Sequence, residues 1–171
     1  MDQTLYRYCP HTLFVPWQPA DDGLMGGVSH SAFVRTADGH AAFRGVVSLE
    51  NNGGFCSVRS PDLPARLTGG DAIALRVRGD GRTYTLCLHT RTLLPGTSYR
   101  CRFTPPAGEW VREVLPFAEF VLMRFGQRAG VSPVDPAAVT ALSLLVSDRQ
   151  EGPFTLEVAE VTLTVSPARP R

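Results

Sequence analysis

Hydrophobic and polar positions alternate along much of the chain, with the two-residue period of a half-buried strand. In residues 72–79, large aliphatic side chains occupy every second position. Residues 83–91 repeat the pattern, with Tyr84, Leu86 and Leu88 on one side. The same pattern predicts further strands at residues 29–36, 41–50, 55–60, 98–104, 110–115, 141–147 and 154–165.

Short stretches rich in Gly, Asp and Asn separate the predicted strands. Residues 37–40 and 79–82 each contain an Asp-Gly step, which supplies the positive φ angles of a tight hairpin turn. The sequence of residues 51–54, Asn-Asn-Gly-Gly, predicts a turn that needs glycine, because larger side chains would obstruct the backbone or the required φ angles. Helical signals are confined to residues 116–120 and 135–140, the latter with a capping Asp followed by Pro.

About nine short strands joined by Gly- and Pro-containing turns favour an all-β fold, a two-sheet antiparallel β-sandwich or jelly roll. A length of 171 residues predicts one domain, 1–171, and 43% hydrophobic residues exclude intrinsic disorder. We expect the core at about residues 13–165 and a flexible tail at 166–171.

The charges nearly cancel, since 17 basic residues, all of them Arg, face 16 acidic residues for a net charge of +1. This balance predicts no nucleic-acid binding, which requires a concentrated basic surface. The chain shows no secretory signal and no apolar run of about 18 residues, so we expect a cytoplasmic protein without a membrane span.

The four cysteines lie far apart and form no metal-binding pair, so we expect reduced, buried thiols and no zinc. The sequence likewise gives no reason to expect a cofactor.

Small and polar residues are densest in residues 17–31, just before a predicted strand. Gly26 and Gly27 permit a sharp backbone path, and Asp21 and Asp22 can accept hydrogen bonds from its amides. Three interpretations stay open: a loop bonded to itself, a surface for a ligand or partner, and a calcium site built from the paired carboxylates.

A hydrolytic set of Ser29 or Ser31 with His30 and Asp22 is excluded by geometry. Ser29 and His30 are neighbours on a strand, so their side chains point to opposite faces. No G-x-S-x-G elbow is present. We therefore predict no catalytic residues.

Several segments together resemble the complex I intermediate-associated protein family. They are Asp21-Asp22-Gly23-Leu24-Met25-Gly26-Gly27-Val28-Ser29 and residues 43–59, followed by residues 78–84, 115–120 and 152–154. The resemblance covers roughly residues 13–165. It implies a β-sandwich similar to galactose-binding-like domains, with no established catalytic residues. Mitochondrial members of the family look like assembly chaperones for the membrane respiratory complex. Because the sequence shows no transit peptide and no fused domain, we expect a bacterial stand-alone member.

Arg59 and the aromatic residues allow two interpretations each. Arg59 lies four residues after Phe55, so both share one face of the strand and Arg59 is expected to lie inward. It would then either form an ion pair with an Asp of the preceding loop or belong to a binding surface. Trp17, Tyr84 and Trp110 could form a stacking platform for a sugar, although core packing is the commoner role.

Two functions follow from these observations. The first is a non-catalytic interaction or assembly module whose protein partner could be a subunit of a membrane respiratory complex. The alternative is a carbohydrate-binding module of galactose-binding-like type. For either function we expect the loops at residues 21–27 and 51–54 to lie near one another and to form the binding surface. The candidate binding residues are Trp17, Asp21, Asp22, Met25, Gly26, Gly27, Asn51, Asn52, Gly53, Gly54 and Arg59.

Overall fold

Two antiparallel sheets make up the computed structural model, which describes residues 2–91 and 94–167 but not the side chains of Leu24 and Met25. Four short 3-10 turns also occur in this part of the chain, at Asp22–Met25, Glu50–Asn52, Phe117–Glu119 and Pro136–Ala138. The strands are β1 (Gln3–Arg7), β2 (Gln18–Pro19), β3 (His30–Arg35), β4 (Ala41–Val47), β5 (Cys56–Arg59), β6 (Ala72–Arg78), β7 (Tyr84–Thr90), β8 (Thr97–Phe103), β9 (Trp110–Pro116), β10 (Val121–Arg124), β11 (Gln127–Arg128), β12 (Val139–Val146) and β13 (Gly152–Thr164).

The first sheet has the strand order β3-β4-β13-β6-β9, and β1 pairs with β13 as well. The long strand β13 lies at its centre. The first half of β13 pairs with β4, with Leu156 opposite Phe43. Its second half pairs with β1 on one side and with β6 on the other, with Val161 opposite Leu75. One strand of 13 residues therefore holds three others in register.

The second sheet has the order β11-β10-β8-β7-β12-β5-β2. In its middle, Ser143 of β12 lies opposite both Arg59 of β5 and Cys87 of β7, and Cys87 lies opposite Arg100 of β8. Paired residues share a face of the sheet, so these four positions form one row across four strands.

The hydrophobic core lies between the two sheets, because one residue in two along each central strand is large and apolar. Phe43, Tyr84 and Phe154 meet in the core with ring centroids 4.9–6.3 Å apart. The core also extends before residue 13, since Tyr6 and Tyr8 are buried, so the expected core boundary is too narrow.

The predicted fold class is confirmed, and so are the nine predicted strands, apart from shifts at their ends. The helical signals correspond to the 3-10 turns at Phe117–Glu119 and Pro136–Ala138, the second of which is capped by Asp135. The short strands β1, β2, β10 and β11 were not predicted from the pattern.

The two Asp-Gly steps have different outcomes. Residues 37–40 join β3 to β4 as a hairpin, in which Arg35 lies opposite Ala41. The hairpin predicted at residues 79–82 is wrong, because β6 belongs to the first sheet and β7 to the second. Asp80 holds this crossover by accepting hydrogen bonds from the Tyr84 hydroxyl and the Thr155 amide.

The remaining expectations about the chain concern its cysteines, its tail and membrane spans. Cys9, Cys56, Cys87 and Cys101 are all free thiols, and all but Cys9 are buried. The amide of Ser166 donates to Asp71, whereas the rest of the predicted tail from residue 168 lies outside the described residues. Over residues 2–91 and 94–167, no helix is long and apolar enough to cross a bilayer.

Replacing Phe43 tests the position of the core. The Phe43 side chain is fully buried and contacts aromatic rings of β7 and β13. Phe43→Ala should therefore lower the free energy of unfolding by about 3–5 kcal/mol, through lost burial and the cavity left behind. Urea unfolding followed by tryptophan fluorescence measures this loss. A decrease below about 1 kcal/mol would contradict the assignment of Phe43 to the core.

Candidate functional site

The carboxylate of Asp22 connects the two loops that the sequence singled out. Its Oδ1 accepts a hydrogen bond from the Ser29 amide at 3.0 Å, and its Oδ2 accepts from the Gly54 and Phe55 amides at 2.7 and 3.3 Å. Asp22 itself is 0% exposed. Residue 29 precedes β3 in the first sheet and residue 55 precedes β5 in the second, so one buried carboxylate joins the starts of strands in both sheets.

Glycines leave room for this carboxylate. A Cβ atom on Gly27 would lie 2.5 Å from Asp22 Oδ1, and one on Gly53 would lie 2.5 Å from Oδ2. Gly26 has a different role, because it ends the 3-10 turn in the left-handed region with a φ of 86°. The spacing of glycines in both loops therefore follows from the position of Asp22.

Asp21 makes a second connection of the same kind. Its Oδ1 accepts hydrogen bonds from the Ser31 hydroxyl at 2.7 Å and from the Ser57 amide at 3.0 Å, which join β3 to β5. The expectation that the two loops lie near one another is therefore confirmed, and the self-bonded loop is the interpretation that the hydrogen bonds favour.

The electrostatics of Asp22 follow from these contacts. Burial raises the pKa of Asp22, but the hydrogen bonds from Ser29, Gly54 and Phe55 outweigh burial, so its pKa lies below the ordinary carboxyl value. Backbone amides, rather than carbonyl oxygens, surround the carboxylate, so its surroundings suit an anion and not a calcium ion. Within the described residues, no group of three or more His, Cys, Asp or Glu side chains could hold a metal.

The paired loops have exposed residues on both segments. Asn51 and Asn52 are exposed and adopt left-handed conformations, with φ of 55° and 60°. On the neighbouring loop, Val28 is 47% exposed. The side chain of Met25, a predicted binding residue, lies outside the described residues.

Trp17 does not lie on this surface. It is 1% exposed, stacks on Phe33 at 5.4 Å and meets the Tyr6 ring edge-on. Tyr84 is also in the core, whereas Trp110 lies against the Arg78 guanidinium at 5.1 Å. Core packing, the commoner role, is therefore confirmed for Trp17 and Tyr84, and the alternative of a stacking platform formed with Trp110 is wrong.

Arg59 is exposed on the outer face of the second sheet, so its expected inward position is wrong. It does share the parity of Phe55, but Cys56 and Val58 are the residues of β5 that face the core. The alternative tie to Asp21 or Asp22 is also absent from the described residues, since backbone amides and Ser31 occupy those carboxylates.

A cavity of about 330 Å³ lies beside Arg59 on this outer face, and we call it the arginine cavity. Within it, His89 Nε2 lies 2.6 Å from the Ser143 hydroxyl, and burial together with the charges of Arg59 and Arg100 lowers the pKa of His89 to about 4. The residues lining the cavity are Arg59, His89, Thr90, Leu94, Pro95, Gly96, Thr97, Ser98 and Arg100.

Sequence reasoning missed this cavity because its residues come from separate parts of the chain. The alternation in β7 and β8 does place His89 and Arg100 on the face of each strand opposite to its large apolar residues. It does not tell that these strands are neighbours of β12 and β5 in one sheet.

Asp22→Asn should lower the free energy of unfolding by about 2–3 kcal/mol at neutral pH. The asparagine amide keeps one acceptor oxygen, so its NH2 group would present N–H donors to the backbone amides on one side only, either Ser29 or the pair Gly54 and Phe55. The substitution would also remove the charge that strengthens all of these hydrogen bonds. Urea titration measures the loss. Asp38→Asn, in the turn between β3 and β4, provides a matched control and should change stability by less than about 0.5 kcal/mol.

The effect of Asp22→Asn on the free energy of unfolding should depend on pH. Because folding lowers the pKa of Asp22, its ionised form contributes its full stability above the ordinary carboxyl pKa of about 3.9, and this is lost as pH falls through the lower folded value. The stability difference between the wild type and Asp22→Asn should therefore be constant from about pH 7 to 5 and shrink below about pH 4. A difference that stays constant into acid would contradict the role of the ionised carboxylate.

Arg59→Gln should raise the pKa of His89 from about 4 towards its ordinary value of about 6.5. The rise should be partial, because burial is the largest cause of the shift and Arg100 remains. Stability should also decline less between pH 6.5 and 4, since the unfolded state then takes up fewer extra protons. NMR titration of the imidazole carbons measures the pKa. Arg102→Gln should leave it unchanged, because Arg102 is paired with Asp148 at 2.8 Å.

The architecture is similar to that of carbohydrate-binding modules. The family 11 module of the cellulosomal cellulase Lic26A-Cel5E of Clostridium thermocellum superposes with a TM-score of 0.69 at 12% identity, over 99% of this chain and 98% of that one. The R112A variant of the module CBM29-2 gives a TM-score of 0.55 at 8% identity, over 100% and 99% of the two chains. At these identities the likeness concerns the fold alone.

The sequence itself leads to a different group of proteins. It is 30% identical over 103 residues to the mitochondrial complex I intermediate-associated protein 30 of Drosophila melanogaster, a match that covers 56% of this chain and 35% of that protein. This chain therefore matches about a third of the length of its curated relative. The profile of the family described as complex I intermediate-associated protein 30 (CIA30) matches residues 10–158. The family predicted from the motifs is thus confirmed, and the chain belongs to the complex I intermediate-associated protein 30 family.

Proposed function

We propose that this protein is a non-catalytic binding module that contacts a protein partner during assembly of a respiratory membrane complex. The observation that carries the proposal is the family match over residues 10–158, nearly all of the chain. The Drosophila relative is named for its association with a complex I intermediate. The same kind of association, with a subunit or an intermediate of such a complex, is the role that we assign to this chain.

The chemistry of the family signature supports a binding role over catalysis. Asp22 is its buried carboxylate, and backbone amides occupy both of its oxygens. A general acid or base needs a proton-exchanging position that reaches the substrate. Asp22 instead serves to hold the paired loops in one conformation.

The partner-facing surface in this proposal is the exposed edge of the paired loops, formed by Asn51, Asn52 and Val28. Two consecutive non-glycine residues in the left-handed region carry a conformational cost, which the contacts of Asp22 with Gly54 and Phe55 offset. A loop held in this way loses little entropy on binding, which favours affinity. Gly26 and Gly27 shape the neighbouring loop and do not themselves provide contacts.

Carbohydrate binding stays a prediction whose support is fold similarity alone. Trp17 and Tyr84, which were considered as a stacking platform for a sugar, are buried in the core. Cytoplasmic location and the absence of nucleic-acid binding also remain predictions from the sequence.

The proposal is tested by recovery of partners from the native organism. The tagged protein, cross-linked in cells, should recover subunits of a respiratory membrane complex reproducibly. The variant Asn51→Asp/Asn52→Asp keeps residue types that tolerate the left-handed conformation but adds two charges to the surface. It should reduce recovery by about tenfold or more without changing the urea midpoint.

Gln127→Glu/Ala129→Glu is the matched control, since it adds the same two charges to exposed positions on the second sheet. Its recovery of partners should equal that of the wild type. Recovery of no respiratory subunit would overturn the function. Recovery that is unchanged by the Asn51/Asn52 variant would overturn the proposed surface.

A further inference from the structure

The arginine cavity has no part in the proposed function. It brings together Arg59 and Arg100, two positively charged side chains that form no ion pair within the described residues. In residues 2–91 and 94–167, no carboxylate forms an ion pair with Arg59 or Arg100. Some arginines in the sheets do have a carboxylate partner, as Arg78 has Glu157 and Arg102 has Asp148. An arginine that lacks a carboxylate partner retains N–H donors for another molecule.

The two unpaired arginines lie at opposite ends of a row of small side chains. Arg59, Ser143, Cys87 and Arg100 form one row over the adjacent strands β5, β12, β7 and β8. Three strand spacings separate the ends of this row, so the two arginine backbones lie roughly 14 Å apart. Long guanidinium side chains can reach towards each other from both ends, above the short side chains of Ser143 and Cys87.

The polar groups between the arginines are neutral or donate hydrogen bonds. Arg100 Nε donates to the Ser98 hydroxyl at 3.1 Å, which orients the guanidinium and leaves its terminal nitrogens available. Burial, Arg59 and Arg100 hold the pKa of His89 near 4, so His89 is neutral at pH 7. Its ring nitrogen lies 2.6 Å from the Ser143 hydroxyl. No acidic residue lines the cavity among the described residues.

We propose that the arginine cavity binds an oxyanion, a carboxylate or phosphate group, between the guanidinium groups of Arg59 and Arg100. The planar fork of N–H donors in arginine matches the oxygens of either group. The volume of about 330 Å³ suits a small ligand or a single side chain. The anion comes either from a free small molecule or from an acidic side chain of a protein.

Titration of the purified protein, followed by the backbone amide signals in NMR, tests this proposal at pH 7 and constant ionic strength. The probes are inorganic phosphate, succinate, a short peptide with two glutamates, and the same peptide with glutamines. At least one anionic probe should cause saturable shifts in β5, β7, β8 and β12. Arg59→Gln and Arg100→Gln should each weaken its binding by about tenfold or more.

Arg102→Gln is the matched control, because Arg102 lies two residues from Arg100 on the same strand and face but is paired with Asp148. It should change affinity by less than about twofold. Urea midpoints of Arg59→Gln and Arg100→Gln should match the wild type, since neither Arg59 nor Arg100 has an ion pair to lose. Arg102→Gln should lower the midpoint only slightly, because the ion pair that it removes is exposed. No saturable shift with any probe up to about 10 mM would overturn the proposal. Equal weakening by all three variants would also overturn it, because it would show unspecific attraction to positive charge.

The probes also separate the two sources of the anion. Phosphate or succinate binding as tightly as the glutamate peptide supports a small-molecule ligand. Tighter binding of the glutamate peptide, with no binding of its glutamine counterpart, supports an acidic segment of a protein. The inference is independent of the proposed function, since Asn51→Asp/Asn52→Asp should bind the probes normally even if it recovers no partner.

Discussion

The buried carboxylate of Asp22 is the constraint from which the most distinctive part of the sequence follows. An ionised group without exposure to water is costly unless donors surround it, and the amides of Ser29, Gly54 and Phe55 provide them. Those amides belong to segments that lead into different sheets. The same hydrogen bonds that stabilise the charge therefore also fix the position of one sheet relative to the other at this end of the sandwich.

This constraint changes how the family signature is interpreted. Gly27 and Gly53 lack side chains because a Cβ atom at either position would meet the Asp22 carboxylate. The conspicuous residues of the motif thus have a structural role. Asn51, Asn52 and Val28 are exposed members of the paired loops, and they form the partner-facing surface that we propose.

The sequence predicted the strands well because a two-residue period is a local property, which needs no knowledge of the strand's partner. It failed where the partner matters. The Asp-Gly step at residues 79–82 permits a turn, yet β6 finds its neighbours in β13 and β9, so the turn leads to the other sheet. For β5, the alternation correctly placed Arg59 on the same face as Phe55. It could not tell whether that face points to the core or to the solvent, because both faces of a strand have the same two-residue period. Phe55 suggested the wrong face, whereas Cys56 and Val58 are the buried residues.

The comparison with the modules that this protein resembles in fold depends on the same distinction between backbone and side chains. Superposition at 12% identity places strands in similar positions and says nothing of the side chains that point outward from them. What an outer sheet face binds depends on those side chains, and in the arginine cavity they are two guanidinium groups, a neutral imidazole and hydroxyls. Aromatic rings offer an apolar surface to a sugar, but Trp17 and Tyr84 are buried in the core. With two guanidinium groups on this outer face, the arginine cavity suits an anion better than a neutral sugar ring.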